Sequence, residues 1–200
     1  MHIFTFVLSL DFSCGGFNMM TLDTNSTVWN FESWGRPYRL VSHLLDCSSP
    51  GTTPIQVQCS LDFSAVLMSS GDVYAWLLSD ITLTEKYKEA MAKLDMDEST
   101  RAIVPDGGTV IPCHTWEIKM DPVKLVNLPI PYNLPDLPMT GLPEEERRKE
   151  TKFIKIAALD YSLVGLTNKG HVCLLRVKLG ESLDDKNGFG IWHYVSESAQ

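Results

Sequence analysis

The chain has no basic run longer than Arg147-Arg148-Lys149, and 17 Lys and Arg stand against 25 Asp and Glu, a formal net charge of −8 in 200 residues. Nucleic-acid affinity rests mainly on clustered Lys and Arg facing phosphates, so this balance argues against a phosphate-tracking surface. The cysteines are five, Cys14, Cys47, Cys59, Cys113 and Cys173, and they include no CxxC pair. An odd, scattered set excludes a zinc ribbon and a disulfide framework, and reads as buried, reduced thiols of a cytoplasmic or nuclear protein. Long apolar runs are missing too. Residues 3–10 (IFTFVLSL) are too short to span a membrane. They have no Lys or Arg before them and no clean small-x-small site after them, so they read as a strand rather than a targeting segment. Asn25-Ser26-Thr27 is a formal glycosylation sequon that matters only in a secreted chain, and is otherwise a hairpin corner.

Catalytic motifs are lacking as well. The sequence holds no phosphate loop, zinc quartet, HExxH or GxSxG, and Gly188-Phe189-Gly190 lacks the third glycine of a dinucleotide site. The acidic stretch Asp95-Met96-Asp97-Glu98 fails as a calcium loop, because its sixth position is Thr100 rather than Gly and its twelfth is Asp106 rather than Glu. Cys113 and His114 pair a nucleophile with a base only in sequence, in a strand expected over residues 110–118. Adjacent strand residues point to opposite faces. No catalytic, cofactor-binding or metal-binding residue is therefore assigned, and the chain is expected not to be an enzyme.

What is present is a repeat. Residues 55–76 (IQVQCSLDFSAVLMSSGDVYAW) place an apolar run, a polar corner with Gly71, and a second apolar run from Val73 to Trp76. This is a hairpin signal, with Gly71 supplying a positive φ. Residues 153–175 (FIKIAALDYSLVGLTNKGHVCLL) repeat it. Leu61-Asp62-Phe63-Ser64 matches Leu159-Asp160-Tyr161-Ser162, and Gly71-Asp72-Val73 matches Gly170-His171-Val172, with one extra residue at the corner. A weaker copy covers residues 17–29, with Asn25 as its left-handed residue and Val28-Trp29 after the corner. Val28 to Val73 is 45 residues and Val73 to Val172 is 99, one period plus an insertion. Short strands at a period of roughly 40–50 residues are the signature of propeller blades. The repeat positions singled out are Val28, Trp29, Gly71, Val73, Trp76, Gly170 and Val172.

Between copies the texture changes. Thr82-Leu83-Thr84-Glu85 reads as a capping box. Leu83, Tyr87, Met91 and Leu94 form the stripe of an amphipathic helix ending near Leu94. A helix grafted onto a β protein is where partner recognition can reside. Residues 128–143 hold five of the eleven prolines and read as an extended connector. Pro135-Asp136-Leu137-Pro138 also has the PxxP form of a ligand for a proline-reading domain. Residues 34–42 read as a connector with Trp34 and Tyr38 packed between blades, the alternative being a basic-aromatic contact surface around Arg36 and Arg39. An outer strand is expected near residues 176–179, a polar loop over 182–190, and the start of an unfinished element at Ile191-Trp192-His193-Tyr194.

The order of apolar strand, Ser or Asn, apolar strand, Gly corner, Val and aromatic resembles regulator of chromosome condensation repeats, which build seven-bladed β-propellers. More specifically it resembles the propeller of fungal F-box proteins of the SCF-associated factor type. The segments that carry the resemblance are Val28-Trp29-Asn30-Phe31, residues 34–42, 54–76 and 154–172, and Trp192-His193-Tyr194, about half the chain. The resemblance implies an all-β partial propeller of about three blades over residues 1–200. Its blade hairpins are expected near 15–42, 54–79 and 153–179, with an insertion near 80–152 that carries a short helix and the Pro-rich connector. It implies the substrate-receptor part of an SCF-type ubiquitin ligase, reaching Skp and cullin only through an F-box that this sequence lacks, and hence a piece of a larger protein. The alternative is a guanine-nucleotide exchange or regulatory factor for a small GTPase. Neither reading needs a cofactor, nucleic acid or a membrane. Three blades in a row leave two apolar flanks, so self-association is expected, through edges carrying Trp29, Trp76 and Trp192.

Overall fold

The computed structural model describes residues 9–32, 37–45, 52–96, 115–125, 150–177 and 189–195. Residues 3–8, Trp34, Arg36, the Cys113-His114 pair, the acidic loop from Asp97, the Pro-rich stretch 128–143 and the loop 182–188 lie outside the described residues.

Three antiparallel meanders make up the molecule. The first sheet joins β1 (Ser9–Cys14), β2 (Met19–Asp23), β3 (Val28–Phe31) and β4 (Tyr38–Val41). The second joins β5 (Pro54–Cys59), β6 (Phe63–Met68) and β7 (Val73–Leu77). The third joins β10 (Phe153–Leu159), β11 (Ser162–Thr167), β12 (Val172–Val177) and β13 (Phe189–Tyr194). Two strands come from the insertion after α1 (Ile81–Met96): β8 (Trp116–Lys119) runs parallel to β4, and β9 (Val123–Lys124) is the fourth strand of the second sheet. The insertion thus returns to complete two blades rather than standing apart from them.

The meanders are radial. Close backbone approach between sheets is concentrated in their first two strands, with β5 beside both β1 and β10. Converging first strands and separated later ones make this a partial β-propeller of three blades. Burial follows position in the stack. β11 and β12 alternate buried and less buried residues, as a sheet with one covered face must. All six residues of β6 (FSAVLM) are buried, because the second sheet is covered on both faces. Its β5–β7 residues Val57, Val66, Met68 and Trp76 pack on Met20, Leu22, Val28 and Tyr38 of the first sheet. From its other face, Phe63, Ala65, Leu67 and Val73 pack on Phe153, Ile156, Leu163 and Trp192 of the third.

The repeat is uniform in register. Ser9↔Asp23, Pro54↔Met68 and Phe153↔Thr167 are equivalent pairs, each followed by an irregularity at the next residue. Cys14↔Met19, Cys59↔Ser64 and Ala158↔Leu163 are equivalent as well. The offsets of 45 and 99 therefore hold along the whole hairpins. The corner of the third copy has no extra residue, and Leu61 aligns with Asp160 rather than Leu159. The apparent mismatch came from aligning the similar Leu-Asp-aromatic-Ser strings. Strand pairing overrides that similarity, because a one-residue slip would turn every side chain to the wrong face.

All three corners share one geometry. Met68 N–H donates to Asp72 C=O at 2.8 Å while Gly71 N–H donates to Met68 C=O at 2.8 Å, and the pairs at Thr167 and Asp23 repeat this. It is a three-residue hairpin loop, a tight turn followed by a left-handed residue. Gly71 has φ 94° and Gly170 has φ 86°. In the first blade the left-handed residue is Ser26, φ 61°, not Asn25. The buried Asp23 carboxylate fixes this, since its Oδ1 accepts the N–H groups of Asn25 at 2.8 Å and Thr27 at 2.9 Å.

Two further expectations are corrected. The helix cap is Asp80, not Thr82: Asp80 Oδ1 accepts the N–H of Thr82 at 2.8 Å and of Leu83 at 3.1 Å, so the helix begins at Ile81. β12 is one unbroken third strand ending at Val177, and β13 (Phe189–Tyr194) is the fourth strand of its blade, with Trp192 opposite Leu175. Residues 191–194 therefore complete the third blade rather than opening another element.

Candidate functional site

Three regions have the makings of a contact surface: the seam where first strands meet, the rim carrying α1, and the two terminal sheet faces.

At the seam, polar side chains of one first strand hold the backbone of the next. Asp11 Oδ2 accepts Val57 N–H at 2.9 Å, and Ser13 Oγ accepts Cys59 N–H at 2.9 Å. One blade on, Gln56 Oε1 accepts Ile156 N–H at 2.8 Å and its amide donates to Ile156 C=O at 2.9 Å. Gln58 Oε1 accepts Ala158 N–H at 3.1 Å. Asp11 and Gln56 are equivalent positions, as are Ser13 and Gln58, so the seam is a repeated device. Ser60 Oγ lies 2.8 and 2.7 Å from the carbonyls of Leu159 and Asp160, which share its one hydroxyl proton. Edge strands carry unpaired backbone donors, and these side chains satisfy them between blades.

At the rim, α1 sets Leu83 into the first core cluster and Tyr87 beside it. Tyr87, Tyr38 and Trp116 form an aromatic cluster with ring centroids 5.9 to 6.2 Å apart. Tyr38 is fully buried, as expected, but it opens strand β4 of the first sheet, so residues 38–41 are part of a blade rather than a connector between blades. Its hydroxyl donates to Glu32 Oε1 at 2.9 Å. Arg39 pairs with Glu117 of β8, its Nε 2.9 Å from Oε1. Between α1 and β8 lies a groove of about 380 Å³ lined by Lys86, Lys93, Lys119, Glu89, Glu117 and Trp116. Three lysines and two glutamates share its lining with one indole, a mixed-charge groove with one positive charge in excess on a chain of net charge −8.

The terminal faces differ from expectation in which aromatics they show. Trp76 and Trp192 are buried in the two cores, and Trp29 is half-buried with its Nε1–H donated to Asp23 Oδ2 at 3.0 Å. Trp76 lies opposite Ser64 and Trp192 opposite Leu175, on faces covered by a neighbouring sheet. Sequence spacing gives their strands but not which face is covered. The exposed apolar residues there include instead Leu10, Phe12 and Phe17 at the first sheet, and Leu159, Val172 and Ile191 at the third. Val28 and Val73 are packed, whereas Val172 is exposed.

The thiols also divide. Cys59 and Cys173 are buried, and burial pushes their thiols up to about 12 and about 11. Cys14 is exposed, contrary to the expectation of uniformly buried cysteines, because no described sheet packs on its face of the first sheet. Among the described residues no group of His, Cys, Asp or Glu is placed to hold a metal ion, and no helix is long and apolar enough to cross a membrane.

No family model matches the chain, and no curated protein sequence matches it. Among solved structures it is similar to Prp20p from Saccharomyces cerevisiae, at 14% identity and a TM-score of 0.45, over 92% of this chain and 37% of that one. It is similar to yeast RCC1 (Prp20) in a structure with Kap60, at 15% identity and a TM-score of 0.43, over 86% of this chain and 32% of that one. Human WBSCR16 gives 15% identity and a TM-score of 0.44, over 96% of this chain and 40% of that one. The chain thus spans less than half the length of each, and at these scores the propeller assignment stands on the sheet order, the shared register and the seam, not on the likeness.

Proposed function

We propose that this chain is a protein-binding propeller segment that does no bond chemistry of its own. The observation that carries the reading is the rim groove between α1 and β8, whose lining combines Trp116 with Lys86, Lys93, Lys119, Glu89 and Glu117. An indole in a concave site with a charged rim is the composition of a protein contact. The helix that builds the groove is an addition to the blade pattern, and variable additions on a rigid scaffold are where recognition resides.

The finer reading is the substrate-receptor part of an SCF-type ubiquitin ligase, at a cytoplasmic or nuclear location. Its support is the sequence resemblance to fungal F-box propellers; Skp and cullin would be reached only through an F-box outside this sequence. The second reading is exchange or regulation of a small GTPase. Prp20p is described for its binding to Gsp1p and histones, but no residue of this chain is matched to an exchange site.

Affinity capture with the chain from a cell extract, followed by mass spectrometry, separates these. Skp and cullin adaptors among the captured proteins support the ligase reading, and a small GTPase supports the regulatory one. In the second case, accelerated release of labelled nucleotide from that GTPase is the direct check. The paired variant Trp116→Ala with Lys93→Glu is expected to lose the captured partner at least tenfold. Undiminished capture by that variant removes the rim groove from the contact.

A further inference from the structure

The same repeat position has two fates. Val57 is 0% exposed and Ile156 is 1%, each covered by the preceding sheet, but the equivalent Phe12 is 68% exposed. On the opposite face, Val28 is 7% and Val73 is 1% exposed, each covered by the following sheet, but the equivalent Val172 is 40%. Cys59 is buried and the equivalent Cys14 is exposed. Each blade thus has a leading face and a trailing face, and every leading face that has a neighbour is buried against a trailing one. The leading face of the first sheet, around Phe12, and the trailing face of the third, around Val172 and Ile191, are the two members of this contact without a described partner sheet.

We propose that these two faces pack on each other between two copies of this chain, head to tail. The argument is continuity with the two interfaces already formed. The operation that carries the first sheet onto the second, and the second onto the third, presents the trailing face of the third to another leading face. The leading face at hand on a second copy is that of its first sheet, apolar and in the same register. A contact between different patches is heterologous, and it closes into a ring when the rotation permits. Two copies joined at both ends give twice the three sheets of one chain, within the roughly four to eight blades of closed propellers. The seam changes at this joint. The positions equivalent to Gln56 and Gln58 in the third sheet are Lys155 and Ala157, both exposed. The ring joint is therefore held by apolar packing with fewer backbone staples, and is the weaker of the two kinds of interface.

Sedimentation velocity of the intact chain tests this, with Phe12→Lys blocking the leading face and Ile191→Lys the trailing face; both sites are solvent-exposed in one copy, so the fold tolerates them. The chain itself is expected to sediment as a dimer. Each variant alone is expected to be monomeric with an unchanged near-ultraviolet circular dichroism spectrum. An equimolar mixture is expected to regain a dimer, because one variant retains the trailing face and the other the leading face. A monomeric wild-type chain overturns the proposal, and protection of Phe12 from hydrogen exchange in that monomer would identify the chain's own residues as the cover. Dimerisation of Ile191→Lys alone also overturns it, since that would mean two leading faces meet each other. A mixture that stays monomeric while both variants are folded overturns it equally.

Discussion

Glu32 and Tyr38 show what a single part-buried pair does to stability. Burial raises the Glu32 carboxyl above its ordinary 4.5, although the hydrogen bond from Tyr38 pulls the other way. Burial, then the neighbouring Glu32 charge, pushes the Tyr38 hydroxyl far above its ordinary range, so it remains a donor at any pH at which the protein is folded. A carboxyl with a raised folded-state pKa holds its proton to higher pH than the unfolded chain does. Its contribution to stability is thus present below the ordinary value of 4.5 and falls as pH rises through the raised one. Glu32→Gln keeps an acceptor for Tyr38 and removes the titration. The melting temperature of the variant should match wild type in acid and exceed it at neutral pH, with the gap opening just above pH 4.5. A gap that does not change with pH would show that the Glu32 charge is solvated in the folded protein.

The seam is the element-scale counterpart. Gln56 makes two bonds to the Ile156 peptide and Gln58 makes one to Ala158. Removing a partner from a part-buried peptide group costs about 1–3 kcal/mol. Gln56→Ala should therefore lower the unfolding free energy by about that much, and by more than Gln58→Ala, in urea titrations followed by tryptophan fluorescence. The reverse order, or no loss from either, would mean that water replaces the staples without cost. Nothing in the strand sequence announces this seam, because a Gln in a strand reads as a solvated position and its partner is 100 residues away. The available signal was recurrence: Asp11 and Gln56, like Ser13 and Gln58, sit one 45-residue period apart. The hairpins were legible because their corners demand a left-handed residue, which Gly71 and Gly170 supply. The corner at Ser26 was misplaced by one because a side-chain carboxylate, not a glycine, organises it. β9 was illegible for another reason. Two residues carry no period, and Val123–Lys124 is a strand only because β7 offers an edge to pair with. The helix cap is Asp80 for a related cause, since the carboxylate nearest the first free N–H groups prevails over a threonine two residues further on.

At the scale of the molecule, stability should be unequal between blades. Each described sheet packs on its sequential neighbours, so among the described residues the second has sheets on both faces and the others on one, as in any linear stack where energy is shared between nearest neighbours. Local opening then costs least at the ends, where fewer apolar contacts have to be broken. Hydrogen exchange of the chain under dilute, monomer-favouring conditions should show β6 and β7 most protected, with β1 and β13 exchanging first. Strands β2 and β11 should fall between, since each pairs with strands on both sides but belongs to an end blade. The seam sharpens this order, because β5 is held from one side by Asp11 and Ser13 and itself holds β10 through Gln56 and Gln58. Raising the concentration should then protect β1 and β12–β13 selectively if copies stack, while leaving β6 and β7 unchanged. Equal protection of all three blades at every concentration would mean that the sheets unfold as one cooperative unit, with the terminal faces adding nothing to the opening energy.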